Sequence, residues 1–89
     1  SLAAPRPNPV RGALEGRLAL AHASHVSLAV YDQLGRRVRA LLDGARPAGE
    51  LTLRWDTRDD AGRAVAPGVY FLEMRADGQH QVRRVSIMR

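Results

Sequence analysis

Val26-Ser27-Leu28-Ala29-Val30-Tyr31-Asp32-Gln33-Leu34-Gly35-Arg36-Arg37-Val38 decides what kind of fold this chain adopts. Val26, Leu28 and Val30 alternate with Ser27, Ala29 and Tyr31, the two-residue period that gives a strand one apolar face. Asp32 to Gly35 then supplies the residues of a tight turn, and apolar positions resume at Val38. The stretch beyond the turn admits two readings. Leu34, Val38, Leu41 and Leu42 recur at near-helical spacing with arginines between them, as in a short amphipathic helix. A strand over Arg36 to Leu41 is the preferred reading, because the turn returns the chain as a hairpin and Gly44 comes too soon for a stable helix.

The same alternation extends outward in both directions. Leu14, Gly16, Leu18 and Leu20 alternate with Glu15, Arg17 and Ala19, and Leu51, Leu53 and Trp55 alternate with Glu50, Thr52 and Arg54. Val69 to Ala76 is rich in β-branched and aromatic residues. Turn formers stand between the runs at Asp43-Gly44, Pro47-Ala48-Gly49, Asp60-Ala61-Gly62, Pro67-Gly68 and Asp77-Gly78, the last being the strongest hairpin signal. About seven short strands without room for helical crossovers predict an all-β fold, an Ig-like antiparallel β-sandwich. Trp55, Tyr70 and Phe71 are expected to be its largest core side chains. Residues 1–6 are expected to be linker from an upstream domain, since the chain begins at Ser1 without Met, and residues 7–89 to be the sandwich itself.

Length and composition narrow the function. At 89 residues there is material for one domain. Without cysteine there is no disulfide, no thiolate zinc site and no thiol nucleophile. No run approaches the roughly 18 apolar residues of a membrane helix, so no direct membrane insertion is expected, and the proline-containing N-terminus is not a secretory signal. Ser24, Ser27, Ser86, Thr52 and Thr57 lack a nucleophile-elbow context, and His22, His25 and His80 are scattered, so neither an enzyme nor a cofactor site is expected. Asp56, Asp59 and Asp60 could offer oxygens to calcium, but their spacing departs from the alternating-ligand loop, and fixing a turn is the simpler role.

All 14 basic side chains are arginine, against 9 acidic ones, for a net charge of +5. Such an excess can recognise phosphates. Here it is better explained by a GC-rich genome, since the chain is also rich in alanine and lacks the stacking aromatics of a single-strand platform; no nucleic-acid partner is expected. Two acid-free stretches concentrate the charge: Gln33 to Leu42, with Arg36, Arg37 and Arg39, and Gln79 to Arg89, with Arg83, Arg84 and Arg89.

Several short motifs occur in a fixed order: Pro7-Asn8-Pro9 and Gly12, then the run to Asp32 with Gly35-Arg36, then Trp55-Asp56 to Asp59 with Gly62, then Pro67-Gly68-Val69-Tyr70. Each has a local reason. The prolines stiffen the approach to the first strand, Gly35 and Gly68 suit positive φ or close approach, and Tyr70 can bury its ring while its hydroxyl finds a backbone acceptor. Together the order resembles the C-terminal sorting domains of the bacterial type IX secretion system and the related Ig-like domain of the flagellar hook-capping protein FlgD, over nearly the whole chain.

The resemblance implies a non-catalytic sorting and attachment module of a larger secreted bacterial protein. Its partners would be outer-membrane export machinery and an upstream cargo domain in the same chain. Its location would be secreted or cell surface, reached through the periplasm. The export signal would lie on the last strand, Gln81 to Arg89, with Arg83, Arg84 and Arg89 in place of the family's frequent lysines. A terminal strand with unpaired backbone groups can be recognised by strand addition. The alternative is a structural Ig-like spacer or assembly domain, as in hook-cap proteins.

Overall fold

The computed structural model describes residues 1–88 and contains six strands among them. These are β1 (Leu14–Leu20), β2 (Ser24–Tyr31), β3 (Arg37–Arg46), β4 (Gly49–Trp55), β5 (Gly68–Ala76) and β6 (Gln79–Ile87). They form a four-stranded sheet in the order β3-β2-β5-β6 and a two-stranded sheet of β1 and β4, with every strand pair antiparallel. The all-β sandwich expected from the alternation is what forms. No helix among the described residues is long and apolar enough to cross a membrane.

Leu34 to Leu42 resolves in favour of the strand, and the structure explains its helix-like spacing. The β2–β3 register runs Leu28 to Leu42, Ala29 to Ala40, Val30 to Arg39 and Tyr31 to Arg37, so β3 carries an unpaired extra residue at Leu41 and again at Val38. Each bulge breaks the two-residue period. Val38 and Leu41 therefore pack against the core alongside Leu42 despite their spacing. Asp43-Gly44, expected to be a turn, is continuous β3 instead, with Asp43 opposite Ser27 and Gly44 opposite Val26. The chain reverses one segment later, between Arg46 and Gly49.

The core lies between the two sheets. Leu14, Leu18 and Leu20 of β1 face Val26, Leu28 and Val30 of β2 and Leu72 and Met74 of β5, all buried. Trp55 and Tyr70 close one end, edge to face with centroids 6.0 Å apart and planes at 67°. Phe71 does not join them. It falls on the opposite parity of β5 and lies half-buried on the outer face of the four-stranded sheet, between Tyr31 and Arg84 in the register.

The segment expected to be linker is part of the sandwich. Leu2 is 1% exposed and sits within the core cluster. Residues 1–6 run antiparallel to β1, with Leu2 opposite Leu18 and Arg6 opposite Glu15. Main-chain bonds join Ala3 to Arg17, Arg6 to Glu15 and Ser1 to Ala19. After Pro7-Asn8-Pro9 the chain changes sheets, and Val10 lies parallel to Ile87 of β6. Leu2 and Pro5 are the buried residues of this short segment and set up no two-residue period, which is why residues 1–6 escape a pattern-based reading. Six strands form where about seven were expected, and the N-terminal segment pairs through isolated bridges only.

Candidate functional site

β6 forms one rim of the four-stranded sheet and carries the arginines singled out by the sequence. Val10 N–H donates to the Ser86 carbonyl and Met88 N–H to the Val10 carbonyl, both at 2.8 Å, so even-numbered residues of β6 direct their backbone groups outward. Asn8 completes this cover with its side-chain amide. Its Nδ2 donates to the Arg84 carbonyl and its Oδ1 accepts from Ser86 N–H, both at 3.0 Å. Pro7 and Pro9 flank the asparagine that fills the rim, and both preceding peptide bonds are cis.

The rim is therefore covered at Arg84 to Met88 and uncovered nearer the β5–β6 turn. At His80 and Val82 no backbone partner lies across the outer edge among the described residues. Arg83 donates to the Val82 carbonyl at 3.1 Å. Val82 is 42% exposed, and Arg84 is exposed beside it. Among the described residues no ion pair engages Arg83 or Arg84. Arg89 lies outside the described residues.

The other acid-free stretch behaves differently. Arg36 pairs with Asp32 at 2.9 Å, Arg37 with Asp60 at 3.3 Å and Arg39 with Asp56 at 3.2 Å. Two of these three acids come from the β4–β5 loop, so the stretch is basic in sequence and neutralised in space. Arg39 also donates to the carbonyls of Arg58 and Asp59, fastening that loop to β3.

Two turns share one hydrogen-bond pattern. At Asp32-Gln33-Leu34-Gly35-Arg36, the Asp32 carbonyl accepts from Gly35 and its Oδ1 from Leu34 and Arg36. At Asp59-Asp60-Ala61-Gly62-Arg63, the Asp59 carbonyl accepts from Gly62 and its Oδ1 from Ala61 and Arg63. Gly35 and Gly62 have φ of 80° and 83°, the left-handed geometry that closes a three-residue loop. The Arg36 N–H, above all, holds the Asp32 carboxyl below its ordinary pKa; partial burial opposes this, and the Arg36 side chain reinforces it. An open groove between the turns is lined by Arg37, Val38, Asp60, Val65 and Tyr70.

Asp56, Asp59 and Asp60 each engage N–H donors rather than converging. Asp56 takes Arg58 N–H and Arg39, Asp59 takes its own turn, and Asp60 takes Ala40 N–H of β3 at 3.0 Å. Asp60 N–H also donates to the Val38 carbonyl, so this residue covers the β3 rim much as Asn8 covers β6. The rest of the motif is structural. Trp55 donates to the Arg58 carbonyl at 2.9 Å and Tyr70 to the Ala66 carbonyl at 2.6 Å, while Gly68 has φ 147°. Gly12 has open space around its Cα, with nothing within 4 Å of an added Cβ.

Sequence reading missed three residues. Leu2 gives no periodic signal. The rim-covering role of Asp60 depends on a residue 20 positions away. Thr57 is 3% exposed at φ 61°, unusual for a β-branched residue, and holds Val65 N–H through its carbonyl.

The strands, split N-terminal segment and covered rims define an Ig-like β-sandwich. Residues 10–80 match the family model of the FlgD Ig-like domain, and the chain belongs to that family. Among solved structures it is similar to dimeric latent PorU from Porphyromonas gingivalis, at TM-score 0.75 and 20% identity over 94% of this chain and 9% of that one. It is also similar to FlgD from P. aeruginosa, at TM-score 0.63 and 28% identity over 83% of this chain and 59% of that one. A third likeness is to PorZ, an essential bacterial surface component of the type IX secretion system of Porphyromonas gingivalis, at TM-score 0.60 and 25% identity over 96% of this chain and 11% of that one. The chain thus spans about a tenth of PorU and PorZ and three-fifths of FlgD. Among curated proteins, none matches it.

Proposed function

We propose that this domain is a non-catalytic sorting and attachment module of a larger exported bacterial protein, recognised on β6 by outer-membrane export machinery. The observation that carries this reading is the division of the β6 rim: covered by Asn8 and Val10 from Arg84 onward, open at His80 and Val82, with Arg83 and Arg84 beside the opening. An open rim offers main-chain bonds to an extended segment, and the guanidinium groups favour an acidic one. The likeness to PorZ supports a role at the cell surface, reached through the periplasm, with the remaining protein as cargo. No nucleic acid or direct membrane insertion is part of this role.

A second reading, a structural spacer or assembly domain, is supported by the match to FlgD and by the covering of half the rim. One experiment separates them. A reporter is fused to this domain in a bacterium with a type IX system, either unchanged or carrying Arg83→Glu and Arg84→Glu, substitutions on a rim strand that leave the core intact. Export that falls severalfold in the variant, with unchanged thermal unfolding of the purified fusion, supports sorting. Equal export of the two fusions, or no export of either, overturns it in favour of the spacer.

A further inference from the structure

The chain itself lines one rim of the sandwich along its length and covers two others in part. Residues 1–6 run along β1, Asn8 and Val10 cover β6 from Arg84 to Met88, and Asp60 covers β3 at Val38 and Ala40. The fourth, β4, is bare: among the described residues no main-chain bond reaches Glu50, Thr52 or Arg54 from outside the sheet. The direction of these groups can be read from β1. Glu15, Arg17 and Ala19 bond residues 1–6, so Leu14, Gly16, Leu18 and Leu20 bond β4 through their partners Trp55, Leu53, Leu51 and Gly49. Glu50, Thr52 and Arg54 therefore point their N–H and C=O groups outward, and the strand has no proline or bulge to blunt it.

We propose that this rim is completed by a second copy of this chain, β4 pairing antiparallel with β4 about a two-fold axis at Thr52. Strand chemistry selects this partner and register. Glu50-Leu51-Thr52-Leu53-Arg54 is complementary to its own reversed copy: Glu50 falls opposite Arg54, Leu51 opposite Leu53 and Thr52 opposite itself. The three outward residues become the three hydrogen-bonded pairs of the new ladder, so all their main-chain groups are satisfied together. Registers shifted by two residues leave outward groups unmatched and lose the charge pairing. On the exposed face, charge then alternates across the joined sheets, because Glu15 already lies opposite Arg54 in each copy. Half-buried Leu51 and Leu53 continue the apolar layer across the axis. A closed two-fold contact of this kind is isologous and stops at the dimer.

Sedimentation velocity on the 89-residue chain, from about 10 μM to about 1 mM, tests this over the range of a small interface. The unchanged chain is expected to pass from monomer to dimer. Arg54→Glu and Glu50→Arg, made separately, each set like charges opposite one another and raise the dissociation constant at least about tenfold. An equimolar mixture of the two variants restores association, since the acidic positions of one meet the basic positions of the other. Thr52→Pro removes an outward N–H, leaves the bonds to β1 and abolishes the dimer. A monomer throughout the range, single variants that associate as well as the parent, or a mixture that stays monomeric overturns the proposal. Failure here leaves the β6 reading untouched, because the two rims lie in different sheets.

Discussion

Asn8 and Ser86 are 78 residues apart and joined at 3.0 Å, Ser86 N–H donating to the Asn8 side-chain oxygen. The same amide donates back to the Arg84 carbonyl, so one side chain stands in for a residue of a neighbouring strand. Asn8→Ala is expected to lower stability by about 1–2 kcal/mol, the net worth of two partly exposed bonds. Asn8→Asp retains the acceptor and loses the donor, giving an intermediate loss. Urea unfolding of the three proteins checks the order. Faster amide hydrogen exchange at Ser86 in Asn8→Ala would locate the effect on the rim.

Leu2 tests whether the N-terminus is structural. Its side chain is 1% exposed in the core, so Leu2→Ala is expected to cost about 2–4 kcal/mol, as for other buried leucines. Removing residues 1–6 should destabilise at least as much, through the same side chain and the bonds to β1. A truncation with an unchanged denaturation midpoint would return the segment to linker status.

Tyr70→Phe keeps the ring against Trp55 and deletes the hydroxyl that donates to Ala66 at 2.6 Å. A loss of about 0.5–1.5 kcal/mol is expected, with the near-ultraviolet circular dichroism of the aromatic pair retained.

Asp32 gives the fold an acid-sensitive contact. Its pKa is depressed in the folded state, chiefly by the Arg36 N–H, so the stabilisation is complete above the ordinary aspartate pKa of 3.8 and is lost as pH falls through the lower folded value. The melting temperature of the parent should therefore fall more steeply below pH 4 than that of Asp32→Asn. Parallel pH profiles for the two would show that the carboxylate carries no such contribution.

Gly35 and Gly62 occupy the same left-handed position in twin turns. Each substitution by alanine is expected to cost about 1 kcal/mol from backbone strain, since neither added Cβ meets an atom within 4 Å. Equal losses in thermal melts would confirm the equivalence. A twofold disparity would show that the loop at Gly62, tied to β3 through Asp60, depends on more than its turn.

Much of this architecture was legible because a two-residue period survives in any half-buried strand. Leu14 to Leu20 and Leu51 to Trp55 form strands over the expected residues, and the Tyr70 hydroxyl finds its backbone acceptor. The errors have physical causes. Bulges at Val38 and Leu41 disguise β3, and Asp43-Gly44 has turn chemistry but is held extended by β2. Phe71 is large and apolar, yet parity places it outside the core. The β6 rim was half legible: a terminal strand bearing Arg83 and Arg84 was visible in the sequence, whereas its cover by Asn8 and Val10 was not.

Local chemistry therefore determined the strands, the twin aspartate-glycine turns and the all-β class, because alternation and turn geometry act over a few residues at a time. Tertiary structure decided which rims are covered. Asn8 reaches Ser86, Asp60 reaches Ala40, and Leu2 enters the core across distances in sequence that no local pattern encodes. The rim at His80 and Val82, and along β4, that no neighbouring backbone covers is what remains once those long-range contacts are made.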